Sequence, residues 1–135
     1  MDSTSFYIAG PLFNAYEQAF QAQIATALAP WGSTFLPQRD VIPSGDIFAQ
    51  CCSGVVQSKI VIANLSGADT DSGTAFEVGY AYALGKPIYA IRSELAFNFP
   101  DRITYPNLML KASTILLPSL AALLERLRID FPTGV

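Results

Sequence analysis

Ile60-Val61-Ile62-Ala63 is followed by Asp71-Ser72-Gly73-Thr74-Ala75-Phe76-Glu77-Val78-Gly79-Tyr80-Ala81-Tyr82-Ala83-Leu84 and then by Gly85-Lys86-Pro87-Ile88-Tyr89-Ala90-Ile91. The outer two segments contain short, unbroken apolar runs, the pattern of strands covered on both faces. The middle segment reads as a helix over Ser72 to Leu84. Asp71 and Ser72 are good N-cap types, so the helix is expected to begin within a residue or two of them. Gly85 supplies a C-terminal cap and Pro87 prevents continuation. Ala75, Gly79 and Ala83 recur at four-residue steps, a small-residue stripe expected to let the helix approach a sheet closely. Strand, helix and strand in this order predict a right-handed βαβ unit.

Three more strands are expected at Phe6 to Ala9, Ser33 to Leu36 and Thr114 to Leu117. Asn14 to Ala29 places Phe20, Ile24, Ala27 and Leu28 on one helical face and is stopped by Pro30. Gly45 to Ser58 places Ile47, Phe48, Cys51, Val55 and Val56 at helical spacing, with Gly54 as a weak point. Ser119 caps a last short helix to Leu127. Alternating strands and helices predict an α/β fold: a doubly wound, five-stranded parallel sheet with helices on both faces, in the flavodoxin-like order 2-1-3-4-5. In such sheets a ligand binds beyond the carboxyl ends of the strands where their order reverses. Here that point lies between the loops Gly10 to Asn14 and Asn64 to Thr74. Ser93 to Lys111 fits no regular pattern and is long for a connection, so it is either functional or an oligomer contact.

Composition narrows the chemistry. At 135 residues, 51% of them hydrophobic and 14% charged, residues 1–135 are expected to form a single domain. No apolar run reaches the roughly 18 residues of a membrane span, and the start of the chain lacks signal-peptide character, so a cytoplasmic protein with no membrane partner is expected. Eight basic residues against eleven acidic ones give a net charge of −3, with no basic stripe to follow a phosphate backbone. The expected partner is a small neutral molecule and not a nucleic acid polymer. Cys51 and Cys52 are sequence neighbours, poorly placed for a disulfide or shared metal ligation, and read as small buried helix residues. The chain has no histidine, which removes Ser-His-Asp and Cys-His systems, His-ligated zinc and imidazole acid–base chemistry. Carboxylates are the remaining acid–base groups.

Glu77 falls in the second turn of its helix, where the positive end favours an ionised carboxylate by roughly 0.3–1 kcal/mol. An ionised carboxylate facing a cleft is a nucleophile. Asp71, six residues earlier on the loop, can reach the same cleft, and two carboxylates around one bond are the kit for glycosyl transfer. The bland alternatives are a helix cap for Asp71 and Ser72 and a solvated surface acid for Glu77. Against the second, Glu77 sits among Ala75, Phe76, Val78, Gly79 and Ala81 at the switch-point loop. In the first loop, Tyr7-Ile8-Ala9-Gly10-Pro11-Leu12-Phe13-Asn14, Gly10 permits close backbone approach by a ligand. Phe13 is either a platform for a planar base or a hydrophobic plug under the first helix. The loop has neither a phosphate-binding glycine pattern nor a basic residue, which favours a nucleoside over a nucleotide.

Tyr7-Ile8-Ala9-Gly10-Pro11-Leu12-Phe13, the Asp71 to Ala81 motif and Gly85-Lys86-Pro87 together resemble the nucleoside 2'-deoxyribosyltransferase family, over nearly the whole chain from the first strand to Asn107-Leu108-Met109. The resemblance implies transfer of a 2'-deoxyribosyl group between nucleobases, as in deoxynucleoside salvage. Glu77 then matches the nucleophile that forms a deoxyribosyl ester. Asp71 matches the acid that protonates the leaving base, and Tyr7 the residue that positions the nucleophile. Gly10, Phe13, Gln38, Ser72 and Gly73 match substrate-binding positions, Gln38 less surely than the others. Asn107 matches an asparagine that a neighbouring subunit sends to the sugar hydroxyls, which implies a homo-oligomer. The implied partners are deoxynucleosides and free nucleobases, and no metal or organic cofactor is needed.

Two departures put base preference, more than reaction type, in doubt. A base-contacting aspartate of some members, on the second helix, has no clear counterpart, and Cys51 or Cys52 falls near that position. The end of the chain, Pro132-Thr133-Gly134-Val135, lacks the terminal aromatic that some members carry. Two other functions stay open: an N-glycosidase of the same fold, with water replacing the second base, and a non-catalytic nucleoside-binding module.

Overall fold

The computed structural model describes residues 3–67, 69–92 and 107–135. The elements run β1 (Thr4–Ala9), α1 (Ala15–Leu28), β2 (Thr34–Phe35), α2 (Pro37–Asp40), α3 (Ile47–Gln57), β3 (Ser58–Asn64), α4 (Ser72–Ala83), β4 (Ile88–Ile91), α5 (Leu108–Ser113), β5 (Ile115–Leu117) and α6 (Leu120–Asp130). The five strands form one sheet in the order β2-β1-β3-β4-β5, every neighbouring pair parallel. This is the expected flavodoxin-like α/β architecture.

The apolar runs build two cores because successive side chains of a strand point to opposite faces. Phe6, Ile8, Ile60, Ile62, Tyr89 and Ile91 pack on one face with Ile24 and Leu28 of α1 and Leu123 and Leu127 of α6. Tyr7, Ala9, Val61, Ala63, Ile88 and Ala90 pack on the other with Val55 of α3 and Val78 and Ala81 of α4. Both faces of the sheet are therefore covered, which is why the strands read as unbroken hydrophobic runs.

Capping sets the helix starts. Side-chain oxygens of Asn14, Asp46, Asp71 and Ser119 accept the amides of Glu17, Ala49, Thr74 and Ala122 at 2.9, 3.0, 3.1 and 3.1 Å. Gly85 follows α4 with φ +72°, the left-handed conformation of a C-terminal glycine cap.

Four local expectations change. Only Thr34 and Phe35 of the expected Ser33–Leu36 strand pair with β1, because the Leu36 amide donates to Asp40 Oδ2 at 2.8 Å and Pro37 opens the unforeseen α2. The irregular segment expected over Ser93 to Lys111 is helical from Leu108, where the Asn107 side chain accepts the Met109 amide at 2.8 Å. Its residues 93–106 lie outside the described residues. Ala75, Gly79 and Ala83 do not face the sheet: Thr74, Val78 and Ala81 are the buried residues of α4, and a Cβ on Gly79 would meet nothing within 4 Å. Of the two readings open for Phe13, the plug under the first helix fails, since that side chain is 79% exposed.

Candidate active site

The carboxyl end of β1 and the first turns of α4 bring Tyr7, Asp71 and Glu77 together. Tyr7 is fully buried within the core on the α3 and α4 side. Its ring stacks on Phe35 of β2, with centroids 5.4 Å apart and planes inclined by 15°. One edge of the ring meets α3 at Gly54, where an added Cβ would lie 2.9 Å from Tyr7 Cε2 and 3.0 Å from Cδ2. Clamped in this way, the phenol O–H donates to Glu77 Oε2.

Glu77 is half-buried on α4. Burial pushes its carboxyl up from 4.5 to about 7; the Tyr7 hydrogen bond opposes the rise and the Asp71 charge adds to it. Burial and the neighbouring Glu77 charge raise the Tyr7 hydroxyl far above its ordinary value, so it remains a protonated donor. Asp71 is both a cap and a neighbour of Glu77. Its Oδ2 accepts the Thr74 amide at 3.1 Å and the Thr74 hydroxyl at 3.2 Å, which leaves its other oxygen outside that cap. Gly73 lets this carboxylate fold back, since a Cβ there would stand 3.2 Å from Oδ2.

Other predicted residues surround this centre at varying distance. Gly10 closes β1 against the buried Gln21 amide, whose Nε2 would lie 2.4 Å from an added Cβ. Packing inside the protein therefore already requires a glycine there. Phe13 stands exposed on the loop, its amide donating to Glu17 Oε1 at 3.0 Å. Gln38, on α2 beyond β2, is exposed and donates from Nε2 to the Gln18 carbonyl at 2.9 Å. Ser72 and Gly73 are exposed in the first turn of α4.

Asn107 is not brought to Glu77. With Ser72, Ala75, Gly79 and Tyr82 it lines a cavity of about 560 Å³ between α4 and α5. At 3.6 residues per turn, those four α4 positions share a face that points away from the side chain of Glu77. The stretch ending at Val135 is also remote. The Val135 carbonyl accepts the Ser5 hydroxyl at 3.1 Å, and its amide donates to Trp31 at 2.8 Å, beside the amino end of β1.

Two contributors were not anticipated. Gly54 looked like a weak point of its helix but is the contact face for the Tyr7 ring. Cys51, one turn earlier on α3, packs against the core that contains Tyr7. Its helical spacing signalled burial without naming the partner across the fold. Among the described residues, no three His, Cys, Asp or Glu side chains gather to hold a metal ion, and no helix is long and apolar enough to cross a membrane.

The chain as a whole is similar to known proteins. Structures similar over nearly the full length include a conserved protein from Enterococcus faecalis V583, at 25% identity and TM-score 0.80, covering 96% of this chain and 99% of that one. A 2-desoxiribosyltransferase from Leishmania mexicana aligns at 23% identity and TM-score 0.71, over 95% of this chain and 98% of its own. The CMP N-glycosidase BcmB of Clostridium botulinum shares the fold at 17% identity and TM-score 0.55, over 91% and 97% of the two chains. No curated protein sequence matches significantly. The family model for nucleoside 2-deoxyribosyltransferase matches residues 6–109, a span that holds Tyr7, Asp71 and Glu77, and the chain belongs to that family.

Proposed function

We propose that the protein transfers 2'-deoxyribosyl groups between nucleobases by a retaining double displacement, with Glu77 as nucleophile. The observation that carries this reading is the half-buried Glu77 carboxylate, held by the Tyr7 hydroxyl and adjoined by Asp71. A Glu77 oxygen attacks the anomeric carbon as the glycosidic C–N bond breaks. The bonding pair leaves with the base nitrogen, which takes a proton from Asp71. The result is a deoxyribosyl ester of Glu77 and a free base. A second base then attacks the same carbon from the vacated side, gives its proton to Asp71 and releases the Glu77 carboxylate. Two inversions restore the starting configuration.

Gly10, Ser72 and Gly73 line the approach of the nucleoside, Phe13 walls the base and sugar, and Gln38 contacts the base. Asn107 faces away from its own chain's Glu77, which supports its contribution to a neighbouring subunit's site in a homo-oligomer.

Chromatography of the protein incubated with deoxyinosine and adenine tests the reading. Deoxyadenosine and hypoxanthine are the expected products. Hypoxanthine with free deoxyribose and no deoxyadenosine would show a hydrolase instead, and unchanged substrates would leave a binding module. Inosine is expected to react slower than deoxyinosine by roughly a hundredfold, because its 2'-hydroxyl crowds the attacking carboxylate. Equal rates for the two donors would overturn that detail.

The ionised form of Glu77 is the reactive one, and its carboxyl titrates at about 7. The kcat/KM for deoxyinosine should therefore fall about tenfold per pH unit below that value. A profile flat from pH 5 to 8 would contradict this.

A further inference from the structure

The exposed Phe13 ring is not held by its own packing; its backbone is held instead. The Leu12 carbonyl and the Phe13 amide belong to one peptide unit, which is planar and moves as a body. Both of its polar atoms are taken by consecutive residues in the first turn of α1. Gln18 Nε2 donates to the Leu12 carbonyl at 3.0 Å, and the Phe13 amide donates to Glu17 Oε1 at 3.0 Å. The chain is also anchored on either side of this peptide. Pro11 ahead of it is buried, with φ fixed by its ring. Asn14 after it caps α1, its Oδ1 accepting the Glu17 amide at 2.9 Å. Gln18 is tied in turn to a second element, since its carbonyl accepts Gln38 Nε2 of α2 at 2.9 Å. Each of these exposed bonds contributes modestly alone, but two of them act on one rigid peptide and restrict its rotation together.

We propose that Glu17 and Gln18 are positioning residues for Phe13: together they lock the Leu12–Phe13 peptide, so that the free protein already presents the ring to an incoming nucleoside. This rests on the reading of Phe13 as a wall of the nucleoside site. A platform that swings freely must be ordered when a ligand stacks on it, and that ordering subtracts from affinity. A loop held beforehand in the binding conformation avoids the loss. A wall touches the nucleoside equally before and during the reaction, so its placement acts on KM and leaves kcat unchanged. Helix capping alone does not account for the arrangement. Asn14 already caps α1 through the Glu17 amide, whereas the Gln18 side chain reaches past the cap to a loop carbonyl six residues earlier.

The full chain carrying Gln18→Met, Glu17→Met, Glu17→Gln, Phe13→Ala or Phe13→Ala with Gln18→Met is compared with the parent by two measurements. One is nitrogen-15 relaxation of the Phe13 amide in the free protein. The other is the steady-state exchange between deoxyinosine and adenine. The Phe13 order parameter is expected to be about 0.85 in the parent and below about 0.6 in Gln18→Met and Glu17→Met. Each of these two variants removes one end of the lock, so failure of one to fold leaves the other as the test. Both should raise the KM for deoxyinosine roughly threefold with little change in kcat, and Phe13→Ala should raise it roughly tenfold. Glu17→Gln keeps an acceptor and should restore the parent order parameter and KM. Gln18→Met should add nothing to Phe13→Ala, because residues that act through one another are not additive. A rigid Phe13 amide in the folded Met variants, an unchanged KM, or a further threefold rise in the double variant overturns the proposal. If Phe13→Ala itself leaves KM unchanged, the wall reading falls and the proposal with it. If the parent exchanges no base, the transferase reading fails alone; the Kd for deoxyinosine by calorimetry then replaces KM, with the same threefold rise in support and an unchanged value against.

Discussion

Glu77→Ala is expected to lower base exchange on the order of 10⁴-fold or more, since it removes the atom that forms the covalent intermediate. Chromatography of the deoxyinosine and adenine reaction checks this, and activity within tenfold of the parent would remove Glu77 from the mechanism. The structure gives a reason for so large an effect. The Glu77 oxygen that accepts from Tyr7 is held in place: its partner phenol is fully buried and stacked on Phe35. Among the described residues, the other carboxylate beside Glu77 is Asp71, which is tied through one oxygen to the cap of α4.

The same residue should limit stability. The Glu77 carboxyl titrates at about 7 in the folded protein against an ordinary 4.5. Between those values the folded state holds a proton that the unfolded chain has lost, so stability falls as pH rises from about 4.5 to about 7 and then levels. Glu77→Gln keeps an acceptor for the Tyr7 hydroxyl and has no charge to bury. Its gain over the parent should grow through that window and reach about 2–3 kcal/mol at pH 8. Denaturant unfolding at pH 4 and pH 8 measures it, and an equal gain at both values would show that burial of charge is not the cause. A variant more stable and inactive is what a strained functional acid predicts.

How much of this was legible depended on the length over which a pattern repeats. The strands and their order followed from unbroken apolar runs such as Ile60 to Ala63, because the fold covers both faces of the sheet. The α2 and α5 helices, four and six residues long, carry too few positions for a period to show and depend on tertiary docking. The stripe of Ala75, Gly79 and Ala83 was visible, but size alone does not tell which face of a helix is buried, and Thr74, Val78 and Ala81 took that place. That Tyr7, Asp71 and Glu77 come together was legible because the motif spacing places them on the first strand and at the start of the helix after the third. The packing of Cys51 against the core that holds Tyr7 was not, since Tyr7 lies 44 residues away in the chain and only the docking of α3 on the sheet joins them.

Gly54→Ala is the second large effect expected, and its sign runs against helix propensity. In an exposed helix interior, alanine for glycine stabilises by about 1 kcal/mol. Gly54 is buried, and its added methyl would stand 2.9 Å from Tyr7 Cε2 and 3.1 Å from Phe35 Cδ1. The Tyr7 ring is fully buried and stacked on Phe35, so it cannot shift without disturbing that partner. Forcing a methyl between α3 and this pair should cost about 1–3 kcal/mol of overpacking, enough to reverse the propensity gain. The ring yields first, and displacement of its hydroxyl loosens the bond to Glu77. A misplacement of about 1 Å at a reacting group can cost roughly a hundredfold in rate, so kcat should fall by about that factor while the KM for deoxyinosine changes little. Thermal unfolding and steady-state kinetics on the same preparation separate the two consequences. A variant with a higher Tm and unchanged kcat would mean that the rings move aside freely and that Gly54 does not set the position of Tyr7.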